Sequence, residues 1–138
     1  MRICGWWAPP SRPTVLSMDA PLRLLLVDDS SEVRRTIRAV VQDLVGDMAE
    51  CGDGAEVLAR FEAFRPDLVL MDIRMPRLDG IRATALLKAA HPAARVVIVS
   101  EYEQDDLRTA AREAGAEAYV PKSDLLVLRD LLEQGGKP

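Results

Sequence analysis

From Leu22 to Leu132 short apolar runs alternate with stretches of helical spacing, and this alternation limits the fold more than any other feature. The runs are Leu24–Val27, Leu68–Met71, Val96–Val99 and the shorter Ala118–Val120. Aliphatic runs without polar alternation suit strands buried on both faces, as in a parallel sheet. A weaker segment around Met48–Cys51 reads as an edge strand. Between the runs, Val33, Ile37, Val40, Val41 and Leu44 fall on one helical face, with Arg34, Arg35 and Arg38 pointing elsewhere. Val57, Leu58, Phe61 and Phe64 make a second stripe, ended by Pro66. A third helix over Gly80–Ala90 carries a less regular stripe including Ile81, Ala85 and Leu86, and Pro92 stops it. Leu107, Ala110, Ala111 and Ala114 form a fourth face ended by Gly115, and Leu125, Leu128, Leu131 and Leu132 a fifth.

Five βα units in series imply a doubly wound α/β fold with right-handed crossovers. A five-stranded parallel sheet in the order 2-1-3-4-5 with five helices is the natural solution for this size. The 138 residues suit one domain, expected over 21–134, with a short tail at 135–138. Residues 1–20 are rich in proline, contain the adjacent Trp6 and Trp7, and read as a disordered extension; Met18 is an alternative start. Prolines interrupt any signal-peptide core there, and no apolar run reaches the roughly 20 residues of a membrane helix. A net charge of −4 argues against direct nucleic-acid binding. Cys4 and Cys51 lack metal-ligand spacing and read as free thiols of a cytoplasmic protein. His91, before Pro92, reads as a helix-ending residue.

In an open parallel sheet, chemistry gathers at the carboxyl ends of the strands. There the sequence sets Asp28 and Asp29 after the first run, Asp72 after the third, Ser100 after the fourth and Lys122 just beyond the fifth. Each has a plain structural alternative. Asp28, Asp29 or Ser30 could cap the next helix, Asp72 could be a turn residue, Ser100 could cap the fourth helix, and Lys122 could be a solvated amine. Four such coincidences at four strand ends are the less economical account.

Clustered carboxylates repel. Two unit charges 4 Å apart cost about 1 kcal/mol in water and about 4 kcal/mol at an effective dielectric near 20. One lysine does not neutralise three acids, so the cluster calls for a raised pKa or a cation. A hard divalent ion fits, and Mg²⁺ commonly takes one or two carboxylates with waters and phosphate oxygens. No P-loop, glycine-rich dinucleotide turn or zinc-protease motif is present, so a bound nucleotide is not the expected phosphoryl donor.

With "VDDS", "MDIRMPRLDG", Val99–Ser100 and "GAEAYVPKS", the chain resembles the receiver domains of two-component response regulators over about Leu22 to Leu132. The resemblance implies that Asp72 accepts a phosphoryl group from a sensor histidine kinase or phosphotransfer protein. It implies that Asp29 binds Mg²⁺ directly, Asp28 largely through water, and Arg74 through its backbone carbonyl. Ser100 would hydrogen-bond the acyl phosphate and Lys122 pair with it. Tyr119, by itself a half-buried strand aromatic, would be the switch residue. The output surface would be the fourth helix, fifth strand and fifth helix, meeting a downstream protein or a second copy of the chain. Arg34, Arg35 and Arg38 are candidate kinase-docking residues, with a solvated face as the alternative.

Two departures bear on these expectations. Many receivers have a cis-proline after the lysine, whereas here Ser123 follows, and a non-proline cis bond costs about 2.5–4 kcal/mol. Lys-Ser is more familiar in receivers joined to helix-turn-helix domains, for which 138 residues leave no room, so the receiver part of a longer DNA-binding regulator stands as an alternative. Arg74 and Tyr102 lie two residues beyond the acceptor and the hydroxyl residue, where bulky side chains predict slow to moderate self-dephosphorylation. Two further classes compete. A phosphorylation-independent binding module should have lost some of these residues, and an aspartate-nucleophile phosphatase of the haloacid-dehalogenase type needs a second acid where Arg74 stands.

Overall fold

The computed structural model describes residues 22–134. The expected extension over 1–20, with Cys4, Trp6 and Trp7, and the tail over 135–138 lie outside the described residues. Five strands, β1 (Leu22–Val27), β2 (Val45–Cys51), β3 (Leu68–Met71), β4 (Val96–Ser100) and β5 (Ala118–Pro121), form one sheet. Its order is β2-β1-β3-β4-β5 and every pairing is parallel. Five helices alternate with the strands: α1 (Ser31–Val41), α2 (Val57–Phe64), α3 (Gly80–Ala90), α4 (Asp105–Ala114) and α5 (Leu125–Glu133). This is the expected doubly wound arrangement.

Strand residues alternate between two cores. Leu25, Val27, Val69, Met71, Val96 and Ile98 pack with Val57, Phe61, Leu87 and Ala111 of α2, α3 and α4. Leu24, Leu26, Leu68, Leu70, Val97 and Val99 pack with Ile37 and Val41 of α1 and Leu128 and Leu132 of α5. Because β1, β3 and β4 are covered on both faces, their buried stretches Leu24–Val27, Leu68–Met71 and Val96–Val99 are continuously apolar.

Element boundaries and one helix face depart from the sequence reading. β2 starts at Val45, three residues before the expected segment; as an edge strand it carries the exposed Gly46 and Asp47. The first helix tightens into a 3₁₀ turn at Gln42–Leu44. The face of α3 needs correction: Ala85 is exposed and Leu86 is 55% exposed, while Gly80, Ala83, Thr84 and Leu87 are buried. Leu86 and Leu87 are equally apolar, and the face that packs is the one on which Gly80 lies against the Asp72 backbone. The Thr84 hydroxyl then donates to the Gly80 carbonyl at 2.7 Å, which satisfies it in the core. Leu58 is likewise 37% exposed rather than part of the buried stripe of α2. No peptide bond among the described residues is cis, so Lys122–Ser123 is trans.

Candidate functional site

The carboxyl ends of the strands carry the site. The Asp28 amide continues the β1–β2 ladder by donating to the Cys51 carbonyl at 3.0 Å, and the Asp72 amide donates to the Val27 carbonyl at 2.9 Å. These bonds hold the first and third strand ends side by side. Asp28, Asp29 and Asp72 each place a carboxylate oxygen within 4.8 Å of the others. Asp28 and Asp72 are buried, whereas Asp29 is exposed.

None of the acids caps α1. Ser30 does so, its hydroxyl accepting from the Val33 amide at 3.2 Å. One Asp28 oxygen instead accepts from the Ser30 amide at 2.9 Å, and the other meets Lys122 Nζ at 2.8 Å. Lys122 Nζ also lies 3.2 Å from Asp72 Oδ1, so one amine bridges two buried acids. Burial opposes the charge on Lys122, but its bond to Asp28 and the charges of Asp72 and Asp28 outweigh that and raise its pKa. Burial, then the Asp28 charge, pushes the Asp72 carboxyl up to about 6 against the opposing pull of Lys122. One amine therefore leaves the acids under-neutralised. Three hard oxygen donors around this residual charge suit Mg²⁺.

Ser100 is buried at the end of β4 and does not cap α4, whose N-cap is Gln104. Its hydroxyl accepts from the Tyr102 amide at 3.0 Å, and its carbonyl accepts from the Lys122 amide at 2.8 Å. The Tyr119 hydroxyl donates to the Tyr102 carbonyl, and the Arg108 guanidinium lies 4.7 Å from its ring centroid. Arg74 is exposed, with its guanidinium 4.5 Å from the centre of the Tyr102 ring. A cavity of about 590 Å³ opens beside Asp29, lined by Ile73, Arg74, Met75, Ile81 and Leu107 among others.

The three arginines of α1 divide. Arg34 donates to Glu50 at 2.7 Å and to the Asp28 carbonyl, and Arg38 also grips Glu50, while Arg35 is exposed. Burial opposes these bonds, yet Arg38, then Arg34, hold the Glu50 carboxyl below its usual range. Glu50 was invisible to sequence reasoning, because its partners are 16 and 12 residues away and follow from the β1–β2 pairing.

The profile of the response regulator receiver domain matches residues 24–133. The transcriptional regulatory protein PdtaR of Mycobacterium tuberculosis is 38% identical over 114 residues, which cover 77% of this chain and 54% of that protein. The chain thus spans about half the length of that relative. The chemotaxis protein CheY of Listeria monocytogenes is 34% identical over 102 residues, covering 73% of this chain and 86% of CheY. A two-component response regulator of the LuxR family from Aurantimonas sp. SI85-9A1 superposes with a TM-score of 0.74 at 29% identity, covering 83% of this chain and 87% of that one.

Proposed function

The chain belongs to the response regulator receiver domain family, and from that premise we propose that Asp72 accepts a phosphoryl group and so switches the surface presented to a partner. The observation that carries this reading is Lys122 bridging Asp28 at 2.8 Å and Asp72 at 3.2 Å beside the exposed Asp29. The donor is a phosphohistidine of a sensor kinase or phosphotransfer protein. An oxygen of Asp72 attacks phosphorus, the P–N bond breaks, and the imidazole leaves with a proton. Lys122 pairs with the transferred oxygens, and the Ser100 hydroxyl turns from the Tyr102 amide to hydrogen-bond them. Asp29 and the Arg74 carbonyl would hold Mg²⁺, with Asp28 acting through water; when bound, the ion would supply charge neutralisation for the acids and the incoming phosphoryl group.

The new charge is read out through Ser100 and Tyr119. A hydroxyl residue drawn toward phosphate pulls on the segment whose Tyr102 carbonyl binds the Tyr119 hydroxyl. The equilibrium of the α4–β5–α5 surface then shifts, toward a downstream protein or a second copy of the chain. Arg35 is the exposed arginine of the α1 row and is left to meet the kinase, while Arg34 and Arg38 brace Glu50. Among the described residues no helix is long and apolar enough to cross a membrane. A second reading of the output rests on the relatives: the chain half-covers a transcriptional regulatory protein, which supports a role as the receiver part of a longer regulator.

Incubating the protein with Mg²⁺ and a small acyl phosphate, then measuring intact mass, tests the reading. One phosphoryl adduct, absent in Asp72→Asn, is expected. No adduct would favour a binding module, and steady turnover of many phosphate monoesters would favour a phosphatase.

A further inference from the structure

Arg77 lies on the segment between β3 and α3, five residues past Asp72, and its backbone sits in the left-handed region at φ 67°. Side chains rarely adopt this conformation, so something must hold it. Arg77 reaches sideways to the loop between β2 and α2. Its guanidinium grips Asp53 through Nε and a terminal nitrogen and lies 3.4 Å from Glu56. Asp53 is itself fixed: one oxygen accepts from the Ala55 amide at 2.9 Å, and its carbonyl accepts from the Glu56 amide at 3.0 Å and the Cys51 thiol at 3.2 Å. The Ala55 amide and the Arg77 guanidinium hold the Asp53 carboxyl below its usual range.

The two loops also touch through backbone. A Cβ on Gly54 would fall 2.0 Å from the Leu78 carbonyl oxygen, so only glycine permits this approach. On its other side the segment closes on the acceptor, with the Gly80 amide donating to the Ile73 carbonyl at 2.7 Å. A Cβ on Gly80 would lie 1.8 Å from the Asp72 carbonyl oxygen. The residues between these contacts include Arg74, whose carbonyl the reading above assigns to Mg²⁺.

We propose that Arg77 is a positioning residue: locked onto Asp53, it fixes the β3–α3 segment so that the Arg74 carbonyl is already aimed at the cation. The inference rests on the reading of the site given under Proposed function. Both guanidinium nitrogens converge on one Asp53 oxygen, Oδ2, while the Ala55 amide fixes the other, so Arg77 is tied to a fixed point of the neighbouring loop by a charge-assisted contact. Outer partners of a metal ligand act by restricting its orientation.

Three variants test it: Asp53→Asn, which retains an oxygen to accept from Ala55; Arg77→Gln; and Arg77→Gly, which removes the side chain while relieving the left-handed backbone. Mg²⁺ affinity by titration calorimetry should fall roughly 10-fold in all three. Hydrogen exchange at the Leu78 and Gly80 amides should accelerate in the metal-free proteins. The Mg²⁺ concentration giving half-maximal phosphorylation should rise, with the rate at saturating Mg²⁺ unchanged. Arg77→Gly is decisive, since it removes the contact while relieving the left-handed backbone: a purely structural role leaves the Mg²⁺ affinity of the folded protein unchanged, whereas a positioning role weakens it. Variants that bind Mg²⁺ like the parent would overturn the positioning role alone. A parent protein that takes up no Mg²⁺ would overturn the site reading and this inference with it.

Discussion

At the residue scale, Asp72 is held where its charge is costly. A carboxyl raised to about 6 in the folded chain binds its proton more tightly than in the unfolded chain. Its contribution to stability is therefore most favourable below about pH 4 and is lost as pH rises through 6. In metal-free buffer the stability of Asp72→Asn minus that of the parent should grow by about 2–3 kcal/mol between about pH 4 and pH 7. Urea melts across that range measure it, and a pH-independent difference would contradict it. Asp43, Glu50 and Asp53 have lowered pKa values in both proteins alike, so their contributions cancel in the difference. The stacked side chains of Arg74 and Tyr102 bear on the next step. If they shield the phosphoryl group from water, Arg74→Ala or Tyr102→Ala should shorten the phosphoprotein lifetime roughly 10-fold, about 1.4 kcal/mol of barrier. A parent lifetime of only seconds with Mg²⁺ present would rule out such shielding.

At the element scale, the ends of helices α2 and α3 are set by contacts of opposite kinds. Gly80 opens α3 against the Asp72 carbonyl, where a methyl group has no room. Gly80→Ala should cost on the order of 1–3 kcal/mol in a denaturant melt, because backbone rather than a pliable side chain must yield. Arg65 closes α2 at φ 55°, a position that glycine fills without strain. Arg65→Gly should raise stability by about 0.5–1 kcal/mol, read in the same melt. The two substitutions move opposite ways although each exchanges glycine and a larger residue, and the backbone at each site decides the sign.

At the scale of the whole molecule, the two cores that bury β1 and β3 withdraw Asp28 and Asp72 from bulk water beside the exposed Asp29. Folding thus assembles the acidic cluster proposed to hold a cation, and a cation bound only to the folded chain would stabilise all of it. Mg²⁺ at about one hundred times its dissociation constant should add about 2.7 kcal/mol. Thermal melts with and without Mg²⁺ should show that gain in the parent and not in Asp28→Asn/Asp29→Asn. On the α1–α5 side, Arg129 of α5 donates to the Val40 carbonyl and to Asp43, both at 2.8 Å, tying the last helix to the first. Leu126 of α5 stays 70% exposed, an apolar side chain on the helix expected to carry the output.

By itself the sequence determined the class of fold, the strand order and the acids, hydroxyl and amine at the strand ends. Short continuous apolar runs alternating with helical stripes suit a parallel sheet covered on both faces, and the carboxyl ends of such strands share one rim. It also marked Ser30 as one possible cap. Only the tertiary structure decided the rest, because each remaining choice turns on a partner distant in the chain. Leu86 and Leu87 are both apolar, and the fit of Gly80 against Asp72 decided that Leu87 enters the core. Arg34, Arg35 and Arg38 look alike in sequence, and Glu50 across the β1–β2 pairing took two of them. Asp53 and Arg77 stand 24 residues apart with no shared periodicity, and they meet because β2 and β3, which flank β1, end on the same rim of the sheet.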